Sequence, residues 1–169
     1  MPTSQSSPTP NRQPNSRHCF VCGLQNPFGL QLRFNMIAPG EVEARYTVPE
    51  RYQGYPGMVH GGIVAAMLDE VAGRVHMGGD PPRFMFTARM EIRYRQNVPV
   101  GQPLRVVGRA LKSKGRMATA AGAIYDQDGA LLAEADVLLV NVPTDVVGSV
   151  DLAALGWRVY GDNGEGIEE

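Results

Sequence analysis

The chain has 169 residues, 43% of them hydrophobic, with 16 Lys and Arg against 17 Asp and Glu for a formal net charge of −1. That is an ordinary globular composition with room for one domain and a real core. Near-neutral charge argues against a nucleic-acid protein, and no apolar run approaches the length that crosses a membrane. Residues 1–16 are rich in Ser, Pro, Thr, Gln and Asn and have no apolar centre. They read as part of a disordered tail, residues 1–17, and not as a secretory signal, so a cytoplasmic protein is expected.

Residues 18–29 read as a loop. It holds both cysteines of the chain, Cys19 and Cys22, in a Cys-Phe-Val-Cys step after His18. A structural zinc site wants four ligands, commonly two such pairs. With the second pair absent, the step reads as two reduced, packed thiols; zinc would need His18 plus a distant ligand or a second subunit. Leu30, Leu32, Phe34 and Met36 alternate with Gln31, Arg33 and Asn35, the pattern of a half-buried strand. Ala38-Pro39-Gly40 is a turn, and residues 41–48 alternate again as the hairpin partner. Residues 49–58 read as a loop.

Residues 61–76 read as a helix that is apolar nearly all round, from Ile63 to Val75. Such a helix in a soluble protein is buried on most sides. Residues 78–82 end it. Residues 84–95 show the cleanest alternation, with Phe84, Phe86, Ala88, Met90, Ile92 and Tyr94 on one face and Met85, Thr87, Arg89, Glu91, Arg93 and Arg95 on the other. Strands follow at 104–111, 117–125 and 130–142, joined by a basic turn at 112–116 and by the hairpin turn Asp126-Gln127-Asp128-Gly129. Residues 143–169 read as peripheral and partly disordered, with a short helical turn at 151–155. The sum is an α+β domain at residues 18–142, an antiparallel sheet of five to six strands wrapped around one long central helix. A helix apolar on every side calls for a second cover, which a partner subunit would give.

The most informative stretch is Gly57-Met58-Val59-His60-Gly61-Gly62, running directly into the helix that carries Asp69 and Glu70. Free N–H groups at a helix start attract negative charge, and glycines let a ligand approach the backbone. A carboxylate on a buried helix is costly unless it is satisfied or functional. Gly62 and Asp69 are two turns apart on one face, roughly 10 Å along the axis. One carbonyl cannot touch both in a single chain. Two antiparallel helices side by side would supply a helix start from one subunit and an acid from the other.

These residues resemble a known family. Gly57-x-x-His60-Gly61-Gly62, with Asp69 nine residues beyond His60, is similar to the hotdog-fold acyl-CoA thioesterases of the PaaI-like class. Cys19-Phe20-Val21-Cys22-Gly23, with Asn26-Pro27 and Gly29-Leu30, looks like the N-terminal signature of one bacterial branch. The resemblance implies a hotdog fold and hydrolysis of a fatty or aryl acyl-CoA to free acid and CoA. It implies Asp69 as the acid that activates water or attacks the carbonyl. Backbone N–H groups at Gly61 and Gly62 would polarise that carbonyl, His60 would support the loop, and Thr87 would help position the water. Lys112 falls where relatives hold the coenzyme A portion; Lys114 and Arg116 cluster with it in one turn and would suit the coenzyme phosphates, and Tyr94 is a further candidate for substrate binding. Many relatives carry Asn six residues before the His; here that position is Gly54, preceded by Gln53, which could substitute. No metal and no separate cofactor is expected, coenzyme A being part of the substrate. The expected assembly is a homodimer with shared active sites, with a homotetramer left open; neither nucleic acid nor membrane is an expected partner. Two rival functions share this fold: a hydroxyacyl-CoA dehydratase using His60 with an acidic partner, and a non-catalytic acyl-CoA binder or sensor.

Overall fold

The computed structural model describes residues 11–79 and 82–161. One antiparallel sheet dominates it, in the order β1-β2-β3-β5-β6-β7-β4. The strands are β1 Asn11–Arg12, β2 Asn35–Ala38, β3 Glu41–Thr47, β4 Met85–Tyr94, β5 Pro103–Lys114, β6 Met117–Tyr125 and β7 Leu131–Asn141. The long helix α1, Gly61–Arg74, packs across one face of this sheet. Seven strands thus stand where five to six were expected, around the expected single helix.

The sequence explains how the helix docks. Val64, Met67, Leu68, Val71 and Ala72 are buried, the i, i+3, i+4, i+7 stripe of a helix facing a core. The sheet offers glycines beneath it. A Cβ on Gly108 would stand 2.5 Å from the Val71 carbonyl oxygen, and one on Gly122 would stand 3.2 Å from that of Leu68. Two missing side chains therefore let the helix backbone sink onto β5 and β6.

Both hairpins expected from the turns are present, β2–β3 at Gly40 and β6–β7 at residues 126–130. The chain leaves α1 and crosses to the far edge, where β4 pairs with β7 alone. The basic segment expected as a turn at 112–116 is mostly strand, since β5 runs on to Lys114.

Three readings differ from the structure. Leu30, Leu32 and Phe34 are buried as expected, but the ladder begins only at Asn35. The N–H groups of Leu30 and Leu32 bond to Phe20 and Val21 carbonyls of the loop, and Gln31 takes a positive φ of 58°. The alternation was real, but its hydrogen bonds go to the cysteine loop. Secondly, residues 11–17 are ordered, not tail. β1 pairs with β2, and fully buried Asn15 donates to the carbonyls of Cys22 at 2.7 Å and Leu32 at 2.8 Å. Residues 1–10, and 162–169 of the end read as partly disordered, lie outside the described residues. Thirdly, the C-terminal segment folds back. A short helix α2, Thr144–Gly148, follows β7; Arg158 bridges to Asn15; and Tyr160 is buried.

Candidate active site

The start of α1 is built by its own glycines. His60 is the N-cap, and its Nδ1 accepts the N–H of Gly62 at 3.0 Å. An accepting Nδ1 places the proton of the neutral ring on Nε2. The His60 carbonyl takes the N–H groups of Ile63 and Val64. Of the two helix-start donors expected to polarise a carbonyl, Gly62 is therefore engaged by the histidine ring. The Gly61 N–H is uncommitted among the described residues. The Tyr94 hydroxyl donates to the Gly61 carbonyl at 2.9 Å and so pins this turn to β4.

The loop before it is held just as locally. Gln53 bridges to Val59, and its Oε1 accepts the Gly57 N–H at 3.3 Å. Gln53 itself is exposed. Gly54 lies against His60, where a Cβ would approach the histidine Cα to 3.3 Å. A cleft of ≈ 550 Å³ opens here, lined by Gly54, Tyr55, Met58, His60, Gly61 and Asn97, among others. Tyr55 and Asn97 were not singled out from sequence; nothing in their spacing marks them.

Asp69 lies two turns further along α1 and does not line that cleft. It is half-exposed, and Thr87 of β4 donates its hydroxyl to Asp69 Oδ1 at 2.6 Å. One carboxylate oxygen is thus fixed and the other left open. This contact depends on a defect in β4. The register shifts between Thr87 and Arg89, so one residue is extra in the strand. Strict alternation would put Thr87 and Tyr94, seven residues apart, on opposite faces. The bulge brings both to α1 and leaves Phe86 exposed, which corrects the expected face of Phe84, Phe86 and Ala88.

The expected cations are not at Asp69 within one chain. Thr87 pairs with Leu139, Leu139 with Ala118, and Ala118 with Ser113. Three strand spacings, roughly 14 Å, separate Thr87 from the Lys112–Lys114 end of β5. Lys112, Lys114 and Arg116 are all exposed, and Lys112 shares a hollow of ≈ 340 Å³ with Arg89, Glu91 and Asp136. Arg83, missed in the sequence, holds this hairpin by donating to Asn141 Oδ1, Ser113 Oγ and the Gly115 carbonyl.

Glu70, beside Asp69 in the chain, points elsewhere. Its Oε1 pairs with Arg74 Nε at 2.9 Å, and its Oε2 is 4.0 Å from Cys19 Sγ. Burial pushes the Glu70 carboxyl up to about 7 against the pull of Arg74. The bond from the Cys22 thiol brings Cys19 down to about 6 against partial burial, while the same bond and burial push Cys22 upward.

Comparison with known proteins fits this architecture. The sequence model of the thioesterase superfamily matches residues 56–133. The match includes His60, Gly61, Gly62, Asp69, Thr87 and the basic hairpin; Gln53, Gly54 and the cysteine stretch lie outside it. A solved thioesterase superfamily protein is 33% identical, with a TM-score of 0.68, over 73% of this chain and 60% of its own. This chain thus spans less than two thirds of that protein. A Streptococcus mutans protein solved bound to acetyl CoA is 19% identical over 66% of this chain and 88% of its own, with a TM-score of 0.60. The E. coli PaaI protein from the phenylacetic acid degradation operon is 12% identical over 68% of this chain and 81% of its own, with a TM-score of 0.61. No curated protein matches. The fold is the hotdog fold, and residues 56–133 match the thioesterase superfamily. No described helix is long and apolar enough to cross a membrane.

Proposed function

We propose that this protein hydrolyses an acyl-CoA thioester, with Asp69 as the base that activates water. The observation that carries the reading is the Thr87–Asp69 bond of 2.6 Å on an otherwise apolar helix. Thr87 holds Oδ1, so Oδ2 is the oxygen that takes the proton of a water. The water oxygen attacks the carbonyl carbon, the C–S bond breaks, and the departing thiolate takes the proton back from Asp69. The oxyanion formed on the way needs fixed donors, each typically worth about 3 kcal/mol. The Gly61 N–H is the first. The Gln53 side-chain amide supplies a second where relatives carry Asn.

Gly61 and Asp69 of one helix are too far apart to serve one carbonyl, so the site is shared in a homodimer. Two features support this. The stripe of α1 that carries Gly62, Ala65, Ala66, Asp69 and Gly73 is not buried. β4 is an edge strand with Phe86 and Tyr94 exposed, and an unpaired edge seeks a partner. The exposed cations Lys112, Lys114 and Arg116 then serve the coenzyme phosphates, the chemistry that acetyl CoA presents in the Streptococcus mutans neighbour.

The test is thiol release from a panel of short, long and aromatic acyl-CoAs by wild type and Asp69→Asn. Release by wild type that falls about 10²–10⁴-fold in a folded variant is expected, the range of acid–base contributions. Binding of acyl-CoA without release would make the protein a binder. An absorbance change on crotonyl-CoA without thiol release would make it a dehydratase.

A further inference from the structure

Cys19 and Cys22 of the N-terminal loop come together with Glu70 of α1. Their ligand atoms, two Sγ and one carboxylate oxygen, lie within 4.8 Å of one another. Cys-x-x-Cys is the spacing of one half of a zinc knuckle. The step is also closed as a knuckle. The Cys22 N–H donates to Cys19 Sγ at 3.5 Å, and the Gly23 N–H donates to the Cys19 carbonyl at 2.9 Å. A Cβ on Gly23 would stand 2.3 Å from that carbonyl oxygen, so the loop closes only on glycine.

Arg74 is the second observation. It is 1% exposed, its Nε fixes Glu70 Oε1, and its Nη2 has no partner among the described residues. Holding one oxygen of a carboxylate while the other faces the ligand cluster is how outer partners orient metal ligands. The charges also close. Two thiolates and one carboxylate around a divalent ion leave one negative charge, and Arg74 cancels it. A buried set of charges persists only when compensated in this way.

We propose that Cys19, Cys22 and Glu70 are the protein ligands of one zinc ion, completed by water, that clasps the N-terminal loop to α1. A tetrahedral site with Zn–S bonds near 2.3 Å puts its sulfurs about 3.8 Å apart. From 4.8 Å, closure on the ion takes shifts of roughly 1 Å. Exposed His18, the ligand that sequence alone suggests, has no part in it. The proposal is independent of the hydrolase reading, because Glu70 lies about 100° round the helix from Asp69.

The experiment is metal analysis of the full chain from zinc-supplemented growth, then stripping with chelator under reducing conditions and titration with zinc and cobalt(II). One zinc per chain is expected, and cobalt is expected to show thiolate charge-transfer absorption with intense tetrahedral visible bands. Cys19→Ser, at a half-buried position, is expected to abolish both. Glu70→Gln, with its fold checked by circular dichroism and melting, is expected to weaken zinc by about a hundredfold or more, since a direct ligand is worth more than the outer partners whose loss costs roughly 10–100-fold. A reduced, folded wild type that takes up neither metal overturns the proposal. So does a Glu70→Gln variant with undiminished zinc affinity, or a cobalt spectrum without thiolate absorption. None of these readouts involves thioester cleavage.

Discussion

Asp69 and Glu70 are neighbours in sequence and opposites in structure. Asp69 is half-exposed, takes one hydrogen bond from a strand-borne hydroxyl and keeps an oxygen free. Glu70 is turned inward, tied to a fully buried arginine and two cysteines of the N-terminal loop. One turn of helix thus presents one carboxylate to a solvent-facing edge and another to the interior. The same chemical group does different work because the surroundings differ: an open oxygen accepts protons, while a compensated buried one anchors.

The comparison is sharpest when each side is broken in turn. Asp69→Asn keeps the Thr87 contact and the fold, so its expected loss is in kcat, about 10²–10⁴-fold with a melting temperature near wild type. Arg74→Met does the reverse. It removes the partner of Glu70 while preserving apolar bulk between Phe34 and Trp157, over whose rings the guanidinium now lies. A loss of about 3–5 kcal/mol in urea unfolding is expected, the cost of leaving one member of a buried pair alone. The turnover number of the remaining folded protein is expected to stay close to wild type. Large kinetic and small stability effects for Arg74→Met would break the division between the two sides.

That division was only half legible in the sequence. The helix and the hairpins follow from alternation, glycine-marked turns and one long apolar run; the order of strands in the sheet does not. Asp69 stood out because charge is rare on such a helix. Thr87 is singled out only by the family resemblance, since the alternation of residues 84–95 groups it with Arg89 and Glu91 and a bulge is what brings it to α1. Bulges leave little trace in hydrophobic pattern. The contact between Glu70 and Cys19 spans 51 residues and joins two segments that the sheet, not the local sequence, brings together. Residues 11–17 looked like a tail because they are polar. Asn15 is nonetheless buried, since its amide satisfies two loop carbonyls, a compensation that composition cannot reveal.

A change beneath the helix affects both sides together. Gly108→Ala places a methyl 2.5 Å from the Val71 carbonyl oxygen, so α1 must lift from β5. Overpacking of this kind typically costs about 1–3 kcal/mol. Because α1 carries both carboxylates, the loss of stability is expected together with a lower kcat, measured by denaturant unfolding and thiol release on one preparation. Unchanged activity in a destabilised variant would mean that Asp69 tolerates a shift of its helix.

The smallest effect isolates the active side. Tyr94→Phe removes only the hydroxyl that donates to the Gly61 carbonyl at 2.9 Å. Tyr94 is exposed in the single chain, so the bond is worth about 1 kcal/mol at most in stability. Its effect on catalysis follows from position, because Gly61 offers the uncommitted N–H at the helix start and its carbonyl belongs to the peptide that the tyrosine restrains. Loosening that peptide disperses the donor relative to the substrate carbonyl, which weakens an interaction made mainly in the transition state. A fall of about tenfold in kcat with KM little changed is therefore expected, equivalent to about 1.4 kcal/mol. A rise in KM at constant kcat would instead place Tyr94 among the groups that hold the substrate in its ground state.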